Sequence, residues 1–334
     1  MKNNKNISRP SPRSSHSLAA TLVAALTAAL CTGCASVKDA GSNPPALPAN
    51  QTADTANVSP AQYKAGTPQA VLFETLNAMR VQCGFPAYTE NLALDAAAQA
   101  HSAYMVVNDG TVVDSEVPLA KGFVGATYAE RAAKYGFPSG SVGVGGVANS
   151  YMRSTELTDE QYGQAVLAGW VSGVYHAFVV ASPLTQIGIG WGKITLGAYP
   201  KVLSDLTVSN LQPIAGDLPL TFPCEGSTGV PHTGFGETPT PPGTEGAWGS
   251  PIALSGSPWD VLRLTTGTMT DASGRVVELE LLDSSTDVNH EVEPYAAVAY
   301  PSKPLMPLSS YTATIAGTVN GKPFTRHFTF HTGA

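Results

Sequence analysis

Apolar side chains in residues 67–180 recur every three to four positions, in four stretches separated by glycine-containing breaks. That spacing places them on one face of a helix. The first stretch opens at Thr67, a good N-cap followed by Pro68 at the first helical position, continues through Val71, Leu72, Leu76 and Met79, and stops at Gly84. The second runs from about Asn91 to Asn108, with Leu92, Leu94, Ala97, Ala98, His101, Tyr104 and Met105 on one face. "TYAERAAKYG" (127–136) is a short third helix ended by Gly136. The fourth and longest covers 158–180, with Thr158 as cap, Glu160 in the first turn, and Tyr162, Val166, Trp170, Val174 and Phe178 as its stripe. In "QIGIGWGKITLGAYP" the pattern changes: Ile187, Ile189 and Trp191 alternate with glycines, which predicts a strand whose glycine face admits another backbone.

Residues 211–245 turn to Pro, Gly and Thr, ending in "GETPTPPGTEG", and read as a linker or a loosely strapped connection. Beyond them every apolar run has period two, and Asn320-Gly321 between the last two runs is a strong hairpin signal. Short strands at this spacing predict an immunoglobulin-like β-sandwich over 246–334. At the other end, residues 34–66 carry Ala, Pro, Asn, Ser and Thr with few large apolar side chains, so they predict a tether, with order beginning at Thr67. The expected class is α+β: a helix-rich domain over 67–210, the connection, then an all-β domain.

Residues 1–33 form a leader. Lys2, Lys5, Arg9 and Arg13 make a basic n-region, and "LAATLVAALTAAL" is an apolar core too short to span as a mature helix. Gly33-Cys34 resembles the lipobox of bacterial lipoproteins, with Cys31 where that pattern has Leu, and implies lipidation at Cys34; an ordinary signal peptide cut nearby is the alternative. The whole chain has a net charge of −7; losing the four leader cations leaves 14 basic against 25 acidic side chains. Without a Lys/Arg cluster, this balance excludes a nucleic-acid footprint and leaves acyl chains as the means of membrane attachment. Cys83 and Cys224 remain as thiols, and in an oxidising envelope compartment such a pair reads as a disulfide, two free thiols being the alternative.

Familiar catalytic motifs are missing. "SGSVGVGGVAN" (139–149) lacks GxGxxG spacing, and there is no GxSxG elbow, HExxH or Cys/His metal spacing. Chemistry would rest on His101, Asp114, Glu116 and His176, two imidazoles and two carboxylates that can in principle hold a divalent metal or share a proton. Each also has a plain structural reading. His101 lies on an apolar face and suits a satisfied core histidine as well as a cleft. His176 follows Gly169, Ser172 and Gly173, which fit either a cleft wall or close helix packing. Asp114 and Glu116 can simply solvate a turn.

The stretch "LFETLNAMRVQCGFPAYTENLALDAAAQAHSAYMVVND", with its N-x-x-R helix, Gly84, and second helix bearing His101, Tyr104 and Met105, resembles the bacterial branch of the CAP superfamily. "GFVGATYAERAAKYGFPSG", with Arg131, and "GWVSGVYHAFVVASPLTQIGIGW", with its Tyr-His pair, resemble the following elements, so the likeness covers about 67–195. The resemblance implies an α-β-α sandwich and a cleft of two His and two Glu able to bind metal. Carried over residue by residue, the family's first His falls on Asp114, Glu116 and His176 are kept, one Glu falls at about Val144, and the other has no counterpart in "AVLAGWVSG". Asp114, Glu116 and His176 are then a reduced three-ligand candidate for Zn or Ca, with no cofactor the simpler expectation.

These observations favour a lipid-anchored protein of the cell envelope, at the outer membrane or cell surface, acting in non-enzymatic binding of an envelope, lipid or protein ligand. The alternative is a metal-dependent or acid/base hydrolase using Asp114, Glu116 and His176. Small-lipid or sterol binding follows from the resemblance alone.

Overall fold

In the computed structural model, which describes residues 62–334, the first helix begins where its cap predicts. Thr67 accepts the N–H of Ala70, and α1 (Pro68–Gln82) follows. Asn91 caps α2 (Leu92–Val107) through the N–H groups of Ala93 and Leu94, Thr127 caps α3 (Tyr128–Lys134), and Thr158 with Gln161 closes a capping box on α4 (Asp159–Ser172). The leader, Cys34 and most of the expected tether lie outside the described residues. Packing starts earlier than Thr67: the Tyr63 ring stands 5.6 Å from Phe73 and its hydroxyl donates to Asp95.

Strands β1 (Thr89–Glu90), β2 (Gly145–Met152), β3 (Leu184–Leu196) and β4 (Tyr199–Leu211) form one sheet in the order β1-β3-β4-β2. Its two faces differ as the glycine alternation predicts. On the glycine face α2 lies so close that a Cβ at Gly188 would fall 2.1 Å from the Leu94 carbonyl carbon, and one at Gly190 2.0 Å from the Ala98 oxygen. On the other face Ile187, Ile189, Val202 and Leu206 bury against Leu72 and Leu76 of α1 and Val166 and Trp170 of α4. The layers are therefore α-β-α.

The fourth helix ends at Ser172, eight residues short of the expected 180, and a 3-10 turn (His176–Val179) follows. Its continuation is intercepted: the N–H groups of Val174, Tyr175 and His176 donate to the Glu237 carboxylate instead of to carbonyls of the preceding turn, and the indole of Trp248 donates to the Ser172 carbonyl.

The 211–245 connection is packed. It supplies β5 (Leu220–Phe222), β6 (Gly234–Phe235) and Cys224, which is bonded to Cys83 at the end of α1 with a Cα separation of 5.5 Å. β6 pairs with β7 (Ala247–Trp248), and β5 joins β8 (Ile252–Ser255). The remaining strands are β9 (Leu262–Asp271), β10 (Val276–Val277), β11 (Glu280–Asp283), β12 (Ala296–Tyr300), β13 (Ser310–Val319) and β14 (Lys322–His331). With β5 and β8 they form two four-stranded sheets, β10-β9-β13-β14 and β11-β12-β8-β5, whose facing side chains make one core: Leu254, Ala297 and Ala299 against Met269, Ile315, Phe328 and Phe330. The run "RVVELELLD" breaks into β10 and β11, one in each sheet. Asn320 and Gly321, both at positive φ, turn β13 into β14.

Every residue of β8 and β12 is buried, although period two predicts one wet face. Their outer face is covered by the helical layer: Val298, Tyr300, Leu282 and Trp248 pack with Val174 and, at the margin, Tyr175 and Phe178. Described residues of both parts thus lie within one compact unit.

Candidate functional site

The four side chains singled out in the sequence separate into two groups. His101, on the buried face of α2, and Glu116, in the loop after it, are both fully buried in their side chains and meet at 3.0 Å. The Nε2 of His101 faces the Val113 carbonyl at 2.7 Å and must donate to it, so Nδ1 and Glu116 Oε1 hold one proton between them. Glu116 Oε2 accepts the N–H groups of Val124 and Gly125, which leaves the carboxylate fully engaged. This pair fastens the loop to the helix, and neither side chain lines the cavity bordered by Asp114 and His176.

Asp114 points the other way. Its Oδ1 accepts the Tyr128 hydroxyl at 2.7 Å and the Ala148 N–H at the edge of β2, while Arg131 holds its carbonyl at 3.0 Å. Tyr128 lies tight against β2, because a Cβ at Gly146 would fall 2.3 Å from its ring. Asp114 and His176 both line a cavity of about 240 Å3 between the sheet and the 3-10 turn, walled by Val147, Phe178, Leu206 and Val208 and closed on the far side by Glu291, Glu293 and Tyr295 of the second domain.

His176 has a partner that the sequence did not reveal. Its Nδ1 is hydrogen bonded to Glu237, whose side chain is 2 % exposed and whose oxygens also take the three N–H groups of the turn. Burial works against the imidazolium, but the hydrogen bond and charge of Glu237, with Asp114 and Glu291 beyond it, outweigh burial and raise the His176 pKa above its ordinary value. Nε2 makes no hydrogen bond among the described residues, and the side chain, 20 % exposed, forms part of the cavity wall. Glu237 stands in the segment "GETPTPP", 61 positions from His176, where neither spacing nor local pattern connects the two.

Beneath the floor, Asp205 of β4 is fully buried with one oxygen on the Thr207 hydroxyl and the other without a partner. Burial pushes its pKa up to about 6, against the lowering charges of His101 and Arg131.

A metal does not fit these donors. Asp114, Glu116 and His176 are not brought together, since Glu116 is closed off with His101, and among the described residues no three His, Cys, Asp or Glu are grouped to hold an ion. The oxygens of Glu116 and Glu237 are already occupied by N–H donors, the wrong chemistry for a vacant ligand set.

Residues 73–204, from α1 into β4, match the family model of the cysteine-rich secretory protein family, CAP. Comparison with curated proteins finds no match.

Proposed function

We propose that this chain, with a CAP-like domain at residues 73–204, is a binding protein of the cell envelope that holds a small organic molecule in the cavity between its helical layer and its second domain. The observation carrying this reading is the cavity itself, about 240 Å3 with a largely apolar wall. That exceeds the ~150 Å3 that admits benzene and lies just under the ~300 Å3 at which drug-sized sites begin. One ring or one short chain is the corresponding ligand size. The leader and Cys34 support presentation of this domain from a membrane by a lipid, most simply at the outer membrane or cell surface.

A second reading has one observation in its favour: His176, oriented at Nδ1 by Glu237, has the arrangement of an acid/base group. It is the weaker reading, because the raised pKa is the wrong direction for a general base near neutrality and, among the described residues, no nucleophile is bonded to the ring.

The test is ligand-observed NMR with benzyl alcohol as a neutral, ring-sized probe, on the protein and on Gly145→Leu. Gly145 lines the cavity, faces the same side of the sheet as Val147 and Val208, and has nothing within 4 Å of a Cβ, so the new side chain fills the space without disturbing the strand. Saturable binding lost in Gly145→Leu supports the reading. No binding to the unaltered protein, or equal binding to both, overturns it.

A further inference from the structure

The rim of the cavity differs from its depth. Inside, Val147, Val179, Leu206 and Val208 present hydrocarbon. At the mouth stand three exposed carboxylates from two separate parts of the chain, Asp114 of the CAP-like domain and Glu291 and Glu293 of the second domain. None of the Lys or Arg ion pairs among the described residues involves any of the three, those pairs being Lys193–Glu156, Arg263–Asp283, Arg275–Asp271 and Arg326–Asp217. Two cationic groups stand nearby: His176 is already paired to Glu237, and the Arg131 guanidinium donates to the carbonyls of Asp114, Gly125 and Ala126 and makes no ion pair with the Asp114 carboxylate among the described residues.

These acids are held in place. Asp114 is fixed by Tyr128, Ala148 and Arg131. The loop carrying Glu291 and Glu293 is pinned by the buried Asp287, which accepts the N–H groups of Asn289, Glu291 and Val292 and also the hydroxyl of Tyr175 beside His176. The same hydroxyl accepts from Asn289, so the 3-10 turn and the Glu291 loop are bound together across the mouth. Like charges converge on one opening, and burial together with Asp287 and Asp114 raises the pKa of Glu291. An apolar chamber behind a ring of carboxylates that no Lys or Arg ion pair neutralises among the described residues is complementary to a molecule that is hydrocarbon at one end and positively charged at the other.

We infer that the ligand is a small organic cation, an amine or quaternary ammonium on one ring or short chain, seated with its apolar end against Val147, Leu206 and Val208 and its charge between Asp114 and Glu291. This rests on the binding reading above and deepens it by naming the charge of the ligand. The second domain is then half of the site: without Glu291 and Glu293 the CAP-like face would offer a single carboxylate.

The experiment compares three probes of equal size and different charge, benzylammonium, benzyl alcohol and benzoate, by NMR titration at low ionic strength. Benzylammonium should bind at least about tenfold tighter than benzyl alcohol, and benzoate more weakly than either, since charges near a protein surface still interact appreciably across a few ångströms. The advantage should shrink as salt approaches about 1 M. Glu291→Gln and Asp114→Asn should each reduce the preference, and the double variant should bind the cation and the alcohol alike; Glu291→Gln alters an exposed side chain whose carboxylate makes no hydrogen bond or ion pair among the described residues. Benzyl alcohol binding that disappears in Gly145→Leu, with benzylammonium no tighter, would overturn this inference and leave the binding reading standing. Loss of all three probes would remove both.

Discussion

Glu237→Ala gives the most direct check on how the site is built. The substitution removes one nearly unexposed carboxylate and with it four hydrogen bonds, three from the N–H groups of Val174, Tyr175 and His176 and one from the His176 ring. Removing one partner of a buried ion pair typically costs about 3–5 kcal/mol, and each stranded N–H adds roughly 1–3 kcal/mol where water cannot reach it. His176 borders the cavity, so water reaches part of the turn, and about 3 kcal/mol is the expected loss, a large fraction of an ordinary ~5–15 kcal/mol stability. Urea unfolding followed by tryptophan fluorescence measures it. The pH dependence is the sharper readout. A histidine whose folded pKa is raised stabilises the fold fully below the unfolded value of about 6.5, and that stabilisation is lost as pH rises through the folded pKa. The deficit of Glu237→Ala should therefore be larger at pH 5.5 than at pH 9, the direction that follows from the raised His176. By NMR, the His176 ring should titrate above the ordinary value in the unaltered protein and fall in the variant, where burial remains and the counter-charge is gone. A loss under about 1 kcal/mol, equal at both pH values, with His176 titrating unchanged, would refute the claim that Glu237 organises the turn.

Asp205→Asn should stabilise the protein above pH 6 and not at pH 4. The folded pKa, pushed up to about 6, makes the ionised form a cost that grows as pH rises from the ordinary value, up to about 3 kcal/mol for two units of displacement. Equal unfolding midpoints at pH 8 would contradict this. Gly190→Ala should lower the melting temperature strongly, because its Cβ would meet the Ala98 carbonyl at 2.0 Å and α2 must lift off β3, at about 1–3 kcal/mol or more for such overpacking; Gly145→Ala, with open space around it, is the control. Replacing both Cys83 and Cys224 by Ser should cost about 2–5 kcal/mol in thermal or urea unfolding, as expected for opening a loop of 141 positions, and an unchanged midpoint would show that packing alone holds the connection to α1.

Local order was readable wherever one short window contained both cause and effect. Thr67, Asn91, Thr127 and Thr158 each accept the N–H groups of the helix they precede, the alternating glycines of β3 meet the backbone of α2, and Asn320-Gly321 turns its hairpin. The Cys83–Cys224 disulfide was legible from a count of cysteines and a compartment. Elsewhere the expectation failed because the deciding partner was remote. The fourth stripe keeps helical spacing through Phe178, but the helix stops at Ser172, since Glu237 and Trp248 take over its last donors and acceptors. "YAAVAY" has the look of a half-exposed strand, yet the face opposite the sheet–sheet core is also buried, in part by a layer encoded more than a hundred positions earlier.

The candidate acids show the same limit, and it bears on how this cleft came to be arranged. Glu116 occupies a position that the family resemblance assigns to the cleft, but the local chain turns it onto His101, where its oxygens are satisfied by a ring nitrogen and two N–H groups. The fourth helix offers His176 no counterpart of the family's second Glu, and the carboxylate His176 receives comes from the connection to the second domain. A carboxylate supplied in this way does more than pair an imidazole: it fixes the segment 234–239 against the end of α4, and Thr238 and Pro239 of that segment line the cavity. The acid that orients His176 and the wall that shapes the opening are therefore one structural element. Its loss should disturb ligand affinity and fold stability together, whereas Glu291→Gln, at the free rim, should disturb affinity alone. That separation is what distinguishes a cavity built by both parts of the chain from a cleft of the CAP-like domain that the second part merely happens to cover.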